Sequence, residues 1–345
     1  MKTKKIISII LAAIMFMSIV TVSIFTAGAQ DVLPATGQCG DNIFWTFDSE
    51  TGTLTLSGTG ATWDYDSYYH GASPFDGKSD VKTITVNDGI TALGSEIFKN
   101  CSGVTNISLP ATLSIIERYA FSSCEKLNNV VIPDSVEEIE SGVFSGCKLL
   151  TDIVLSKNLK FLGGYVFNET ALYNNCEDNA VYVCNCLVDI KDKSITSIEV
   201  KDGTELIAEG TFWYCYDLAQ VTLPDTLKYL HYHTFWSTAL INNCTDDIFY
   251  VGNYLVQVLN KNIKNVDIKD GTILIAQDAF QGNMNIDTVN TPDSLKYICL
   301  GAFGVAKIKT LNISRSVEPL YGLQDSRSYL YYIDVSYNLQ PQKQQ

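Results

Sequence analysis

The sequence predicts a repeat solenoid built from units of about 23 residues around a parallel β-sheet. The first observation is that eight phenylalanines keep an interval of 23 residues within three groups. They are Phe98, Phe121, Phe144 and Phe167, then Phe212 and Phe235, then Phe280 and Phe303. The second is a shared pattern of apolar and turn residues in every unit. The third is that 46% of the residues are hydrophobic and 18% charged, which is typical of a folded protein. Because one unit cannot bury its own apolar face, stacked units must share one continuous core.

Each unit opens with a short strand, as residues 127–139 illustrate. Apolar residues at the first, fourth and sixth places predict a strand with one buried face and one wet face. Pro133 and Asp134 follow as a turn, because proline fixes its own φ and cannot extend a hydrogen-bonded ladder. A second apolar pair and an anchor such as Phe144 then close one turn of the coil.

The two gaps in the phenylalanine series have equal length and similar contents. Each spans 45 residues between the flanking anchors, and residues 171–176 (ALYNNC) match residues 239–244 (ALINNC). A unit of 68 residues has therefore been duplicated. Two apolar strands flank an asparagine at about residues 174–194 and again at about 242–262, which predicts one hairpin insertion in each gap.

The first 29 residues are predicted to be a secretory signal peptide. Three lysines within residues 2–5 precede an apolar run over residues 6–25, and Ala27-Gly28-Ala29 supplies a cleavage pattern of small residues. A membrane anchor is the alternative, since the run is about long enough to span a bilayer. We expect a secreted chain that begins near Gln30 and has no membrane span after cleavage.

Three segments are expected after the signal peptide. Residues 30–80 predict a β-rich N-terminal cap, residues 81–338 the repeat array, and residues 339–345 a polar tail. Residues 330–338 fit only the first half of a repeat. Either this last strand forms the edge of the array or the chain is shortened relative to its relatives.

These repeats resemble the BspA-like leucine-rich repeat proteins of bacteria and some protists. The unit pattern carries most of the resemblance, and residues 37–60 look like the usual lead-in to the array. The resemblance implies a leucine-rich repeat fold whose parallel sheet forms a concave face. It also implies a secreted or surface-exposed binding or adhesion protein. The family brings no catalytic residues with it.

Most of the ten cysteines are predicted to be buried and unpaired. Four of them stand three residues after an anchor phenylalanine, where other units carry Thr, Asn or Ala, so the position requires a small side chain. Neighbouring turns nevertheless bring two such thiols near bonding distance, and only geometry decides. Cys184 and Cys186 are the better candidates for a disulfide, with Cys176 as a further partner.

No metal, cofactor or catalytic site is expected. His231 and His233 supply only two imidazoles, and the positions equivalent to His231 include Gly94, Glu117 and Glu140, which indicates a solvent-facing place. Motifs for nucleophile elbows, zinc proteases and phosphate loops are missing from the sequence. Lys+Arg number 24 against 38 Asp+Glu, so the net charge of −14 excludes nucleic acid as a partner.

An aromatic patch is the first candidate binding surface. Trp213 and Trp236 each follow an anchor phenylalanine, where other units carry Lys, Ser, Asn or Gln, so both rings are expected to be exposed and stacked on each other. Four tyrosines in the same two units complete the predicted patch: Tyr214, Tyr216, Tyr229 and Tyr232. Exposed aromatic clusters mark partner surfaces or sugar platforms. The alternative is that these rings pack under the hairpins.

The wet face of the strands is the second candidate. Its polar members form what we call the strand row: Asn106, Ser108, Asn129, Asp152, Glu199, Gln220 and Asp267. This surface can hydrogen-bond a peptide or glycan but repels acidic polymers. A solvated face without a ligand is the competing interpretation.

The sequence therefore predicts a non-enzymatic, secreted or cell-surface leucine-rich repeat protein that binds an extracellular protein or carbohydrate. The alternative is a non-catalytic accessory or spacer module of a larger extracellular protein, shortened here.

Overall fold

The structure, a computed structural model, describes residues 33–66, 70–304, 306–314 and residue 317. The predicted signal peptide, the final half repeat and the polar tail lie outside these residues. Twenty-four strands and two short helices are described. They are β1 Thr36–Gly40, β2 Ile43–Asp48, β3 Thr53–Gly58, β4 Gly60–Ala61, β5 Thr83–Val86, β6 Ile90–Leu93, β7 Asn106–Ser108, β8 Ile115–Ile116, β9 Asn129–Val131, β10 Glu138–Ile139, β11 Asp152–Val154, β12 Phe161–Leu162, α1 Ala171–Asn174, β13 Ala180–Val183, β14 Cys186–Ile190, β15 Ser197–Glu199, β16 Leu206–Ile207, β17 Gln220–Thr222, α2 Ala239–Asn242, β18 Ile248–Val251, β19 Tyr254–Val258, β20 Asn265–Asp267, β21 Leu274–Ile275, β22 Ile286–Asn290, β23 Tyr297–Ile298 and β24 Ile308–Asn312.

The N-terminal strands join the array directly. Strands β1, β2 and β3 pair antiparallel, and β3 then pairs parallel with β5. Side chains of β2 alternate strictly between buried and exposed, with Trp45 and Phe47 on the buried face. This alternation is what the sequence predicts for a half-buried strand at the start of the solenoid.

Two rows of parallel strands run along the array. The first row contains the longer strands, such as β9 and β11, in which Asn129 pairs with Asp152. The second contains mostly two-residue strands, such as β10 and β12, in which Glu138 pairs with Phe161. In both examples the paired residues are 23 positions apart, so the predicted repeat length is the register of these parallel strands. These features confirm the predicted solenoid.

The two hairpins form at the predicted places but belong to the coil rather than being inserted into it. Strands β13 and β14 pair antiparallel, as do β18 and β19, and each hairpin turns through two residues that include Asn185 or Asn253. Strands β14 and β19 then pair parallel with β16 and β21, so each occupies a place in the second row. Fully buried Ile190 and Val258 take the place of the missing phenylalanines.

Stacked rings form the centre of the core, which we call the phenylalanine ladder. Its first five members are Phe75, Phe98, Phe121, Phe144 and Phe167. Successive ring centroids are 5.3–6.2 Å apart and nearly parallel. Phe75 stands 23 residues before Phe98, so the ladder begins one turn earlier than predicted, inside the segment assigned to the cap.

The cysteines that follow the anchors line the core as unpaired thiols. In Cys101, Cys124 and Cys147 the Sγ donates to the carbonyl oxygen of the anchor one turn earlier, at 3.2–3.5 Å. Burial raises the pKa of the Cys147 thiol to about 12. Cys184 and Cys186 are also unpaired, so the disulfide considered for them does not form. The Cys184 thiol donates to the Ile153 backbone oxygen at 3.8 Å, and the Cys186 thiol donates to the Asn185 side-chain oxygen at 3.7 Å.

No helix within the described residues is both long and apolar enough to cross a membrane.

Candidate binding surface

Three members of the predicted aromatic patch are strongly exposed. Tyr214 is 55%, Tyr216 60% and Trp236 57% accessible to solvent. Tyr214 has a φ of 68°, a left-handed conformation that turns the chain just after the anchor Phe212. The Tyr214 and Tyr216 rings meet edge to face at 6.3 Å. These three side chains present a large apolar area to solvent, as the sequence predicts.

Trp213 behaves differently from the prediction. Its ring is half-buried and lies over Gly210, where an added Cβ would come within 2.6 Å of the ring. Its Nε1 donates a hydrogen bond of 2.8 Å to the backbone oxygen of His233. The ring that stacks on Trp236 is that of His233, with centroids 4.9 Å apart, rather than that of Trp213. The predicted Trp213–Trp236 stack was wrong, because Gly210 leaves room for the Trp213 ring to fold back onto the backbone.

Tyr229 and Tyr232 are not part of the exposed surface. Tyr232 is buried, and its hydroxyl donates to the Gln281 side chain. Tyr229 forms a parallel β-bridge with Leu206 of β16. Burial raises the pKa of the Tyr229 hydroxyl to about 12. The prediction placed the tyrosines and tryptophans of two units on one surface, but their positions within the unit point them to different sides.

A contiguous aromatic track, which includes two residues that the prediction missed, crosses neighbouring turns. Its members are Tyr216, Tyr214, Tyr165, Trp213, His233 and Trp236. Tyr165 shares a side-chain hydrogen bond with Tyr214 and lies 5.9 Å from the Trp213 ring. Burial, followed by the proximity of Tyr214, raises the pKa of Tyr165 to about 12. The sequence does contain a signal for including Tyr165 in the track. Tyr165 stands two places before the anchor Phe167, as Tyr119 stands two places before Phe121.

His231 is buried, which corrects the expected solvent-facing position. Gly163, Ala208, Ala276 and Cys299 occupy equivalent places, and such small residues indicate a buried site. His231 Nε2 lies 3.5 Å from Asp278 Oδ2. The imidazole therefore packs into the coil rather than beside the solvent.

Glu209 joins the two histidines in what we call the histidine cluster. Its Oε1 lies 3.5 Å from His233 Nδ1 and 4.0 Å from His231 Nδ1. Burial alone raises the pKa of the Glu209 carboxyl, but the hydrogen bond from His233 and the electrostatic influence of His231, His233 and Arg118 outweigh it and leave the pKa below its usual range. Glu209 does not occupy a position equivalent to either histidine, so an alignment of units does not reveal it. Glu209 stands three places before Phe212, whereas the histidines stand four and two places before Phe235.

All members of the strand row are exposed, as predicted. They project from β7, β9, β11, β15, β17 and β20, where exposed residues flank a buried or half-buried central residue. Val131 and Val154 pair side by side in this face and are 63% and 52% exposed. Asn290 and Asn312 extend the row beyond Asp267 through side-chain hydrogen bonds of 2.6 Å. The row is a polar, mildly acidic surface with one apolar spot.

A groove that the sequence analysis missed lies beside the second hairpin. Its volume is about 620 Å³, and its lining includes Leu240, Cys244, Tyr250 and Lys269. The Lys269 ammonium sits 4.8 Å from the centre of the Tyr250 ring. A groove formed by α2 and a hairpin requires three-dimensional packing that no local pattern encodes.

Comparison with known proteins places the repeats in a family. The family model described as "BspA type Leucine rich repeat region" matches residues 70–181, 190–257 and 250–340 in six copies. No curated protein matches the chain.

Several solved structures are similar to the chain. A leucine rich cell surface protein from Faecalibacterium prausnitzii is 18% identical, with 82% of this chain and 90% of that chain covered and a TM-score of 0.31. A leucine rich repeat protein of T. pallidum is 20% identical, with 52% and 79% covered and a TM-score of 0.30. The pneumococcal vaccine antigen PcpA is 13% identical, with 83% and 90% covered and a TM-score of 0.27. The family model alone spans more than half of the sequence and confirms the resemblance found in the repeat pattern, so this chain belongs to the BspA-type leucine-rich repeat family.

Proposed function

We propose that the protein is a secreted or cell-surface repeat protein that binds an extracellular protein or carbohydrate through the aromatic track and performs no catalysis. The observation that carries this proposal is the exposure of Tyr214, Tyr216 and Trp236, each more than half accessible. Most other large aromatic side chains of the array are buried in the core. Exposed apolar rings in a soluble repeat array favour a partner surface.

The construction of the track supports recognition rather than accidental exposure. Trp213 is fixed by its hydrogen bond to His233, and His233 in turn stacks on Trp236. Rings held in place lose little conformational entropy on binding, which is why tryptophan and tyrosine are enriched in binding hot spots. Their flat faces suit stacking on a sugar ring or an aromatic side chain, while phenol and indole groups donate hydrogen bonds.

Secretion and the absence of catalysis rest on the sequence. Residues 1–29 carry the signal-peptide pattern, and neither the motifs nor the family supplies catalytic residues. A spacer or accessory module remains the alternative function.

The test is binding of residues 30–345 to an array of glycans and extracellular-matrix proteins. The double variant Tyr216→Ala/Trp236→Ala removes two exposed rings and leaves the fixed Trp213 in place. Phe44→Ala is the matched control, because Phe44 is also a half-exposed ring but belongs to β2 at the other end of the array. Circular dichroism must be unchanged in both variants.

We expect wild type and Phe44→Ala to bind the same ligand and the double variant to lose it. Equal binding by all three contradicts the aromatic track as the site. In that case loss of binding in Val131→Ser/Val154→Ser would assign the ligand to the strand row, since these two valines form its exposed apolar spot. No binding by any protein favours the spacer.

A further inference from the structure

Three side chains that can ligate a metal meet beside the aromatic track. Glu209, His231 and His233 each offer one ligand atom, and these atoms lie within 4.8 Å of one another. Glu209 Oε1 is 3.5 Å from His233 Nδ1 and 4.0 Å from His231 Nδ1. In a tetrahedral site with bonds of about 2.1 Å, ligand atoms stand about 3.4 Å apart. The first distance already fits, whereas the second and the distance between the two histidine ligand atoms, at most 4.8 Å, must shorten through side-chain movement.

We propose that the histidine cluster binds a divalent transition metal, with Zn²⁺ as the expected ion, and leaves a fourth coordination position open. Two imidazole nitrogens and one carboxylate oxygen form a known ligand set for zinc, in which water or another group completes the tetrahedron. Imidazole also suits copper and nickel, whereas calcium and magnesium prefer oxygen ligands alone. The half-exposed His233 gives water or a partner's side chain access to the fourth position.

A second carboxylate prepares His231 for this role. Asp278 Oδ2 lies 3.5 Å from His231 Nε2, which favours the proton on Nε2 and leaves Nδ1 as the ligand atom. Metal-bound histidines commonly donate their other N–H to a carboxylate in this way. The single lone pair of His231 Nδ1 accepts the His233 backbone N–H at 3.1 Å, so a metal bound at Nδ1 must displace this donor.

The other two ligands are also held by neighbours. The Ser141 hydroxyl contacts Glu209 Oε2 at 3.5 Å, which leaves Oε1 directed at the histidines. The His233 ring is stacked on Trp236, and its backbone oxygen is fixed by Trp213. Supporting contacts of this kind hold ligand side chains in place around a metal ion.

The solenoid does not require these side chains for its own packing. Other turns fill the position of His231 with glycine, alanine, glutamate or cysteine, as at Gly94, Glu140 and Cys299. Among the described turns, only the one that contains His231 and His233 forms a 3₁₀ turn, over Tyr232–Phe235, where most others have a left-handed residue two places before the anchor. The cluster is therefore a local feature added to a regular array.

The experiment measures Zn²⁺ binding by residues 30–345, purified in the presence of a chelator and then dialysed, using isothermal titration calorimetry. Glu209→Gln and His233→Gln remove one ligand each and spare the fully packed His231. His70→Gln is the matched control, because His70 is an exposed imidazole far from the cluster in sequence. We expect one equivalent of Zn²⁺ in wild type and in His70→Gln, and at least a hundredfold weaker binding in the two ligand variants. Asp278→Asn, which changes a positioning residue, should weaken binding about tenfold or more.

Cobalt substitution distinguishes this site from the thiols of the chain. Co²⁺ bound by nitrogen and oxygen gives visible d–d bands without a sulfur-to-metal charge-transfer band, whereas a thiolate site such as one using exposed Cys184 gives both. The spectrum of wild type should lack the charge-transfer band and should vanish in His233→Gln. Failure of wild type to bind Zn²⁺, equal binding by His233→Gln, or a thiolate spectrum would each overturn the proposal. These outcomes are independent of whether the aromatic track binds a ligand.

Discussion

Replacing Phe121 with alanine measures how much stability the phenylalanine ladder provides. The ring is fully buried, and its centroid lies 5.3 Å from that of Phe98 and 5.7 Å from that of Phe144. Truncating a buried phenylalanine costs about 3–5 kcal/mol. We expect the upper half of this range, because the two flanking rings belong to hydrogen-bonded turns that cannot collapse into the cavity.

Phe121→Leu separates ring stacking from simple burial. Leucine keeps most of the apolar volume but loses two stacked pairs, each worth about 0.5–1.5 kcal/mol. The expected cost is therefore about 1–3 kcal/mol, clearly smaller than that of alanine. The buried Ile190 and Val258 show that an aliphatic side chain is acceptable at an anchor position.

Urea unfolding followed by circular dichroism provides the assay. Since each turn contacts mainly its neighbours, a weakened central turn should split the Phe121→Ala transition into two steps, while Phe121→Leu keeps a single step at lower urea. Phe44→Ala, which removes an exposed ring, should leave the midpoint within error of wild type. A cost below about 1 kcal/mol for Phe121→Ala, or equal costs for alanine and leucine, would refute the ladder as a main source of stability.

Three further predictions concern the buried thiols and the turns. In native protein a thiol reagent should label exposed Cys184 quickly and Cys124 and Cys147 only after unfolding, and rapid labelling of the buried pair would show that this core is not closed. Burial raises the pKa of Cys147 from its ordinary value of 9.0 to about 12. The unfolded chain therefore releases this proton at lower pH than the folded chain, and stability should fall as pH rises above about 9. Thermal melts should show a smaller loss of stability at alkaline pH in Cys147→Ala than in wild type. Gly146→Ala should lower the melting temperature, because Gly146 has a φ of 75° and an added Cβ would meet Ser123 Oγ at 2.9 Å; an unchanged melting temperature would contradict this geometry.

The regular part of the fold could be predicted because it repeats. The interval of 23 residues between phenylalanines is also the register between paired strands such as β9 and β11. A periodic sequence fixes which residues stack, so the core and the exposed strand row followed without three-dimensional information. Phe75 was missed only because the series was started at Phe98, although the interval is the same.

Only part of the candidate site could be predicted from the sequence, because its chemistry depends on the direction of each side chain within a turn. Equivalent positions place Trp213 and Trp236 one above the other, but the absence of a Cβ at Gly210 allows the Trp213 ring to lie on the backbone. Glu209 reaches the histidines across neighbouring turns from a non-equivalent position. Such contacts between different positions of successive units are invisible to an alignment of units.

Iodide quenching of tryptophan fluorescence tests the central claim, that the aromatic track binds the ligand, most directly. Of the four tryptophans, Trp236 is the exposed one, whereas Trp45 is buried and Trp63 and Trp213 are half-buried. Quenching should therefore fall sharply in Trp236→Phe and, in wild type, when the strongest ligand from the array is added to saturation. Truncation of such an anchor costs about 2 kcal/mol, so Trp236→Ala should also weaken this ligand by about thirtyfold. A ligand that binds wild type without reducing iodide quenching, and binds Trp236→Ala equally well, would contradict the account.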